Sequence, residues 1–391
     1  SSVMVNPLNP AAYSLTPRQG FLFDFGVEGV NFYNRQQKYA DGAQTTSRTS
    51  YNTFNFHDIA FQLPLARRLG LGFSLTPYSS VGYRVSADEQ SDDVWGNIGR
   101  VQYLYAGEGD LTEVKLGIGW EVVKRVSIGV AAQYYWGDIE RTYQTVVSNN
   151  IVNGGSVNTV TGTDSYGISR IKMQLGLQAD LIQSERQVLT LGATYDMGGN
   201  LRPSVNQTVV NGDIYGTVVR GDTTRMALKL PVQLGVGLYY QNAKIAAGVD
   251  YIYQNWENNE SPKSVPGAVN VAYKNTNTVK LGFEYTPNRM DIRNYLKRWS
   301  YRVGFRYGTY YQTFEGKTLS QYAVTAGFGM PVRFLGRSSI DFGVEFGQRG
   351  NDSPLRIDNR QIGLVRQRYV KFSLGLTLFG EDSWFVRYKY D

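Results

Sequence analysis

Residues 126–136 read Val-Ser-Ile-Gly-Val-Ala-Ala-Gln-Tyr-Tyr-Trp, so that apolar side chains occupy every second position. Successive side chains of a β-strand point to opposite faces, and this stretch therefore has one apolar face and one small or polar face. About a dozen other stretches after residue 20 repeat the pattern. A chain of such strands satisfies its backbone hydrogen bonds inside a bilayer by closing into a barrel.

Composition favours a membrane β-barrel over a membrane protein built from transmembrane helices. The mean hydropathy of −0.33 and the absence of a long apolar run exclude a helical membrane protein. The 29 tyrosines suit the aromatic girdles of a bilayer interface. The chain has no cysteine, which excludes disulfides and thiol chemistry. A net charge of +7 suits anionic lipid headgroups, and no dense basic run points to nucleic acid.

The alternation predicts 14 antiparallel strands, an even number as in single-chain bacterial barrels. They cover residues 20–34, 52–64, 69–85, 111–122, 124–141, 165–182, 186–204, 223–241, 243–257, 274–286, 299–313, 319–332, 337–350 and 366–379. Short links alternate with long polar links, which is typical of periplasmic turns and external loops. We therefore predict an integral protein of the bacterial outer membrane with both termini in the periplasm.

The two faces of the strands differ in the way a barrel requires. Residues 226–240 carry eight apolar side chains in step, which is too long a face for a half-buried strand of a soluble β-sandwich. The opposite face carries charged and amide groups, which fit a wet lumen: Lys172, Gln174, Gln178, Asp180, Lys280, Glu284, Arg302, Arg306, Asp341, Glu345 and Lys371. Many other positions on that face are glycine, which allows a plug to approach closely.

Residues 1–19 differ from the rest of the chain. Pro7, Pro10 and Pro17 prevent a continuous strand, although the segment is apolar enough to be buried. We predict two units: a small plug at residues 1–19, lying inside the lumen, and a barrel formed by residues 20–391. The chain opens without a signal-peptide pattern, so we expect that export has removed one.

Four stretches together resemble one protein family. Residues 9–12 read Asn-Pro-Ala-Ala, and residues 107–119 combine Gly-Glu-Gly-Asp-Leu with Val-Lys-Leu-Gly-Ile-Gly. Residues 230–237 read Leu-Pro-Val-Gln-Leu-Gly-Val-Gly, and residues 383–391 end the chain with Ser-Trp-Phe-Val-Arg-Tyr-Lys-Tyr-Asp. In this order they resemble the FadL-type outer-membrane transport proteins over most of the chain.

The resemblance implies a 14-stranded barrel with an N-terminal hatch that takes up fatty-acid-like or aromatic hydrophobic molecules. The implied hatch and ligand residues are Asn9, Pro10, Ala11 and Ala12. Uptake in that family ends at a kinked third strand that opens sideways into the membrane. Here the implied gap residues are Thr76, Pro77, Tyr78, Ser79, Ser80 and Gly82.

Two alternatives stay open at the sequence level. Pro77 removes a ladder hydrogen bond, and this marks either a lateral gap or a simple bulge. Some relatives in the resembled family do not transport and act as barrel subunits of protein-secretion or barrel-assembly machines. The charged inward positions favour that role, and Pro77 favours transport. The expected partners are membrane lipids, lipopolysaccharide and a hydrophobic small molecule, with envelope proteins in the alternative.

The sequence indicates neither an enzyme nor a cofactor site. The only histidine, His57, shares its predicted face with Ile59 and Phe61 near a strand end, which suits an interfacial residue. No cluster of potential metal ligands appears. Residues 288–299 are the best helical candidate, capped by Asn288. We interpret them as an amphipathic turn on the periplasmic headgroups or as a simple structured turn.

Overall fold

The structure is a computed structural model that describes residues 5–16, 20–40, 43–89, 92–148, 157–211, 218–220, 224–225, 229–257, 271–332, 338–357 and 360–381. The strands form a closed antiparallel barrel of 14 strands, as predicted. The sheet closes because β1 (Gly20–Ala40) pairs on one side with β2 (Ala43–Ala66) and on the other with β14 (Val365–Glu381).

The strands between them follow one another around the barrel, and three are interrupted. They are β3 (Leu69–Asp88), β4 (Arg100–Val123), β5 (Val126–Ser148), β6 (Val157–Gln183), β7 (Gln187–Asp196, Gly199–Asn200 and Ser204–Asn211), β8 (Val218–Arg220, Thr224–Arg225, Lys229–Leu230 and Val232–Asn242), β9 (Ile245–Asn255), β10 (Val271–Tyr273 and Thr276–Tyr285), β11 (Ser300–Phe314), β12 (Lys317–Val332) and β13 (Ser338–Arg349). A small hairpin, Pro354–Ile357 with Arg360–Gly363, lies between β13 and β14.

The two ends of the barrel differ. Two-residue turns join β2 to β3 and β4 to β5, and Arg68 and Arg125 in these turns have φ values of 69° and 75°. We call this end of the barrel the turn end. The predicted short links at this end are confirmed where the structure describes them.

The predicted long loops at the other end are largely wrong. Much of residues 35–51, 86–110 and 142–164 is strand, because β1, β2, β4, β5 and β6 continue far beyond their apolar stretches. Beyond the lipid both faces of a hairpin meet water, and the side chains lose their alternation while the backbone ladder continues. The apolar pattern therefore marks the lipid-facing part of each strand and misses its extension.

The outward face is the apolar one. Its side chains are exposed on several strands around the barrel, as a lipid-facing band requires: Leu234, Val236, Leu238, Leu281, Phe283, Val303, Phe305 and Leu374. Residues 226–228, which belong to the predicted eight-residue apolar face, lie outside the described residues. The C-terminal motif at residues 383–391 lies outside them as well.

Helical structure is limited in the described part of the chain to α1 (Asp92–Asn97) and two 3-10 turns, Pro10–Leu15 and Tyr295–Arg298. None of these helices is long and apolar enough to cross a membrane. Residues 288–299, the best helical candidate, form a structured turn in which only Tyr295–Arg298 is helical, and the predicted cap Asn288 is wrong because Asn294 caps this 3-10 turn. Asn288 and Asp291 accept hydrogen bonds from nearby backbone amides, and such local bonds compete with a helix.

Candidate functional site: the lumen and its N-terminal segment

The N-terminal segment, residues 5–16, packs against the inner face of β3 to β6. Its central turn is buried and contains all four predicted hatch residues, Asn9, Pro10, Ala11 and Ala12. The Asn9 side chain caps this turn by accepting a hydrogen bond from the Ala11 amide at 3.0 Å. Pro10 occupies the first position of the turn, where a missing N–H costs nothing.

Glycines on the wall make room for this segment. A Cβ on Gly129 would lie 2.3 Å from the Pro10 carbonyl carbon, and one on Gly70 would overlap the Tyr13 carbonyl. Others crowd the same turn: Gly72, Gly117, Gly119 and Gly176. The inward glycines of β3 to β6 therefore fit the backbone of the N-terminal segment.

Polar side chains of the wall hold the segment by its backbone. Lys115 Nζ donates to the Pro7 carbonyl oxygen at 3.0 Å, and Gln174 Nε2 donates to the Leu8 carbonyl oxygen at 3.2 Å. Asn9 Nδ2 in turn donates to the Leu177 carbonyl oxygen at 3.1 Å. These bonds fix the position of the segment independently of its side-chain packing.

Both ends of the segment are tied as well. The Val5 amide donates to Asp24 Oδ2 at 2.8 Å, and Gln62 Nε2 donates to Thr16 Oγ1 at 2.6 Å. Ser14 Oγ donates to Ser127 Oγ at 2.8 Å. Anchors on β1, β2 and β5 thus span about a third of the barrel circumference.

Two cavities of about 860 and 890 Å³ lie within the described part of the lumen. Residues 5–8 line both of them, as do Thr76, Tyr239, Asp250 and Lys280 of the wall, so the two cavities meet at the N-terminal segment. Asn9 and Ala12 meet Thr76 and Tyr78 in the first cavity, which brings part of the predicted hatch and part of the predicted gap strand together. The remaining predicted residues line neither cavity: Pro10, Ala11, Pro77, Ser79, Ser80 and Gly82.

The first cavity is polar behind β3. Glu113 and Lys115, each less than a tenth exposed, form an ion pair at 3.4 Å. Tyr78 packs edge-on against Tyr135 with ring centroids 4.8 Å apart. Many of the other lining groups are amides or carboxylates, among them Gln133, Gln174, Gln178, Gln233, Gln254, Asp180 and Asp196.

The second cavity faces a network of ion pairs on β10, β11, β13 and β14. Arg302 bridges Glu284, at 2.8 Å, and Asp341. Arg306 pairs with Glu345 at 3.0 Å. Lys371 pairs with Glu28 at 2.9 Å on the neighbouring strand β1. The prediction that these residues face the lumen agrees with this arrangement, and opposite charges compensate one another between adjacent strands or, across β12, between β11 and β13.

A second segment also occupies the inner side of the wall. Residues 197–203 interrupt β7, and Leu201 in this interruption is buried with Leu111 and Ile168. Arg170 Nε donates to the Leu201 carbonyl oxygen at 3.1 Å and fixes the interruption to β6. The buried side chain of Leu201 thus holds this interruption against the wall.

The β2–β3 ladder stops partway along both strands. Its last pair is Ile59 with Leu75, and beyond it β2 pairs with β1 alone and β3 with β4 alone. Pro77 lies two residues past this pair, and the β3–β4 register shifts between Pro77 and Ser79. The interruption expected from a proline within a strand therefore includes both a bulge and an unpaired edge.

The interpretation of His57 as an interfacial residue near a strand end is wrong. His57 lies in the interior of β2 at a register shift, where Gly26 faces Asp58 and Val27 faces Phe56. The shift turns the imidazole to the second cavity, and its Nδ1 lies 2.7 Å from Asp58 Oδ1. A single extra residue reverses the face of a strand, which simple alternation does not reveal.

The wall anchors Asp24, Gln62 and Lys115 were missed from the sequence. Each stands at an inward position of a predicted strand or its extension, so the alternation carried the signal. Their pairing with the N-terminal segment depends on how 19 leading residues fold back, which the pattern does not encode.

Together the closed barrel, its apolar outer band and its internal segment define an outer-membrane-type β-barrel of FadL-like architecture. A Pseudomonas aeruginosa FadL homologue has a similar structure, with a TM-score of 0.62 and 13% identity over 95% of this chain and 92% of that one. The Pseudomonas putida toluene transporter TodX gives a TM-score of 0.59 and 16% identity over 97% and 93% of the two chains.

The Ralstonia pickettii toluene transporter TbuX gives a TM-score of 0.53 and 14% identity, over 95% of this chain and 92% of that one. At such identities these likenesses establish the fold. No curated protein matches the chain. The family described as BamG matches residues 1–391, and the chain belongs to the BamG family.

Proposed function

We propose that the chain is a bacterial outer-membrane barrel that acts as a non-transporting subunit of a protein complex of the secretion or barrel-assembly kind. The observation that carries this proposal is the lumen, which holds the N-terminal segment against its wall and carries ion pairs and amides among its lining residues. Membership of the BamG family supports a role other than that of the toluene transporters, whose structures are similar in fold alone.

The chemistry of the first cavity argues against a hydrophobic passenger. Burial of each CH₂ group yields about 0.8 kcal/mol only when the new surroundings are apolar. Here the passenger would also lie against several glutamine amides and carboxylates of the lining, and each of these polar groups that it left unsatisfied would cost roughly 1–3 kcal/mol. A fatty acyl chain would therefore lose at each polar group what it gains from one to four methylene groups.

Gentle extraction of the barrel from its own membrane, followed by native mass spectrometry, tests the proposal. The expected result is a complex of fixed stoichiometry with other envelope proteins and no bound lipid-like ligand in the lumen. A monomeric barrel that carries a hydrophobic adduct would overturn it.

A second candidate function is passive uptake of hydrophobic molecules through the third strand, as the FadL-type resemblance implies. The unpaired edge of β3 beyond Leu75 is the specific observation in its favour. In this reading the external hairpins collect the ligand, the cavity near Asn9 and Ala12 binds it, and the edge near residues 76–82 releases it. The cavity behind that edge would then hold the ligand against Tyr78 and Tyr135.

A cysteine pair tests uptake directly, because the native chain has no cysteine. Asp58→Cys with Thr76→Cys would join the first positions past the last ladder pair. Phe61→Cys with Phe73→Cys is the control, since these residues are already paired. Uptake predicts that oxidation of the first pair alone stops accumulation of labelled toluene or fatty acid. Equal accumulation with either pair oxidised would exclude this route.

A further inference from the structure

Residues 286–299, which we call the rim segment, connect β10 to β11 at the turn end. They form a compact loop, closed by a hydrogen bond from the Asn288 amide to the Lys297 carbonyl oxygen at 2.8 Å. Asn294 caps its single 3-10 turn. The rim segment is thus an ordered structure that presents fixed side chains at the rim of the barrel.

The aromatic side of the rim segment continues the lipid-facing wall. Trp299 stacks on Phe328 with ring centroids 4.9 Å apart, and Tyr295 donates its hydroxyl to the Pro331 carbonyl oxygen at 2.8 Å. Phe328 lies opposite Tyr301 on the outward face of β12 and β11. Trp and Tyr in such positions mark the bilayer interface in membrane barrels.

The free edge of the rim segment is strongly apolar. Ile292 is 98% exposed and Met290 is 84% exposed, and Leu296 is also exposed. Side chains of this size are rarely left in water at adjacent positions without an occupant. Because they adjoin an aromatic patch on the outward wall, the simplest occupant is the same bilayer.

Basic groups surround this apolar edge. Arg289 pairs with Glu284 at 3.4 Å, and Lys297 lies 3.8 Å from Asp291 on the rim segment, to which Arg293 and Arg298 also belong. Arg298 lies over the Tyr295 ring at 5.5 Å. Backbone amides of Asn294 and Arg293, together with the Lys297 ammonium, lower the pKa of Asp291, so one negative charge opposes four positive ones at neutral pH.

We infer that the rim segment binds the headgroups of anionic phospholipids at the turn end of the barrel. Met290, Ile292 and Leu296 enter the boundary between headgroups and acyl chains, while the three surface cations contact phosphate groups. Interfacial segments bind by this combination of apolar burial and attraction to anionic lipid. The inference holds whether the barrel acts as a complex subunit or as a channel.

Lipid retention tests the charge component. The barrel is placed in nanodiscs that mix phosphatidylcholine with phosphatidylglycerol, and its retained lipids are counted by native mass spectrometry. The variant R293Q/K297Q/R298Q should lose about tenfold or more of the wild-type preference for phosphatidylglycerol. The control K38Q/R48Q/R84Q removes three positive charges from the opposite hairpins and should keep that preference. Equal retention by the two variants would overturn the inference.

A fluorophore on Ile292→Cys tests the apolar component. In nanodiscs without other proteins, the label should be shielded from iodide and quenched by nitroxide-labelled lipids near the headgroups. A label that iodide quenches freely would overturn the inference. Shielding that appears only when a co-purified protein is added would overturn it as well, because the occupant would then be a protein surface.

Discussion

The two walls of the lumen, β3 to β6 and β10 to β14, carry different kinds of residue at their inward positions. On β3 to β6 several inward positions are glycine, and a stretch of the same chain lies against them. On β10 to β14 many inward positions carry charges, which pair with one another, and Glu284, Arg302 and Asp341 among them line the second cavity. The same alternation of inward and outward residues therefore produces a seat for a peptide on one side and an ion-paired surface on the other.

This difference teaches how inward residues are chosen in this barrel. Gly129 and Gly119 have the backbone of Pro10 within 2.6 Å of where a Cβ would be. By contrast, a Cβ on Gly282 in the charged wall would meet nothing within 4 Å. Glycine is thus required by contact with the N-terminal segment on one wall and is merely tolerated on part of the other.

The largest expected effect follows from filling the space that the wall glycines leave for the N-terminal segment. Gly129→Val places a side chain where the Pro10 and Ala11 backbone lies, and overpacking of this severity costs about 3 kcal/mol or more. We expect residues 5–16 to detach while the strands persist, with amide exchange of the segment accelerated roughly a hundredfold or more.

Gly282→Val on the charged wall is the matched control and should leave exchange of the N-terminal segment unchanged. If amide exchange of residues 5–16 were as slow in Gly129→Val as in wild type, the close fit to the wall glycines would not be what holds the segment.

An intermediate effect is expected from the centre of the charged wall. Arg302 is 30% exposed at its side chain and serves both Glu284 and Asp341. Arg302→Met leaves the two carboxylates without their shared cation, and we expect a loss of about 1–3 kcal/mol in the free energy of unfolding. The measurement is the urea midpoint of the detergent-solubilised barrel.

Arg84→Met, on an exposed position of β3, serves as the control for Arg302→Met and should change the free energy of unfolding by less than about 0.5 kcal/mol. Adding Asp341→Asn to Arg302→Met should recover part of the loss, since one repelling carboxylate is removed. Absence of any recovery would contradict the compensation of charge on this wall.

The smallest expected effect concerns the cap of the N-terminal turn. Asn9→Ala removes both the bond from the Ala11 amide and the bond to Leu177, which together should cost about 1–2 kcal/mol. Amide exchange of residues 10–15 should rise about five- to thirtyfold. Asn6→Ala, which removes an exposed local bond to Leu8, should change it far less. Equal effects of the two substitutions would show that the hydrogen bonds of Asn9 do not stabilise the turn.

The sequence predicted the strands of the barrel better than the contacts of the N-terminal segment inside it. Alternation determines which face of each strand meets lipid, so the 14 strands and the inward charges on β10 to β14 were predictable. It failed at His57, where one extra residue in β2 reverses the face, and in the long hairpins, where both faces are polar. The anchors Lys115 and Gln62 stood at inward positions, but their partners in the N-terminal segment follow from tertiary contact alone.

Conductance across a planar bilayer tests the central claim most directly, namely that the N-terminal segment partitions the lumen. Wild-type barrel should show no steady ion current, and a variant that lacks residues 1–16 should open a stable pore. The intact strands of the variant would be checked by circular dichroism. A wild-type barrel that conducts as well as the deletion variant would contradict this claim and would favour transport through the lumen.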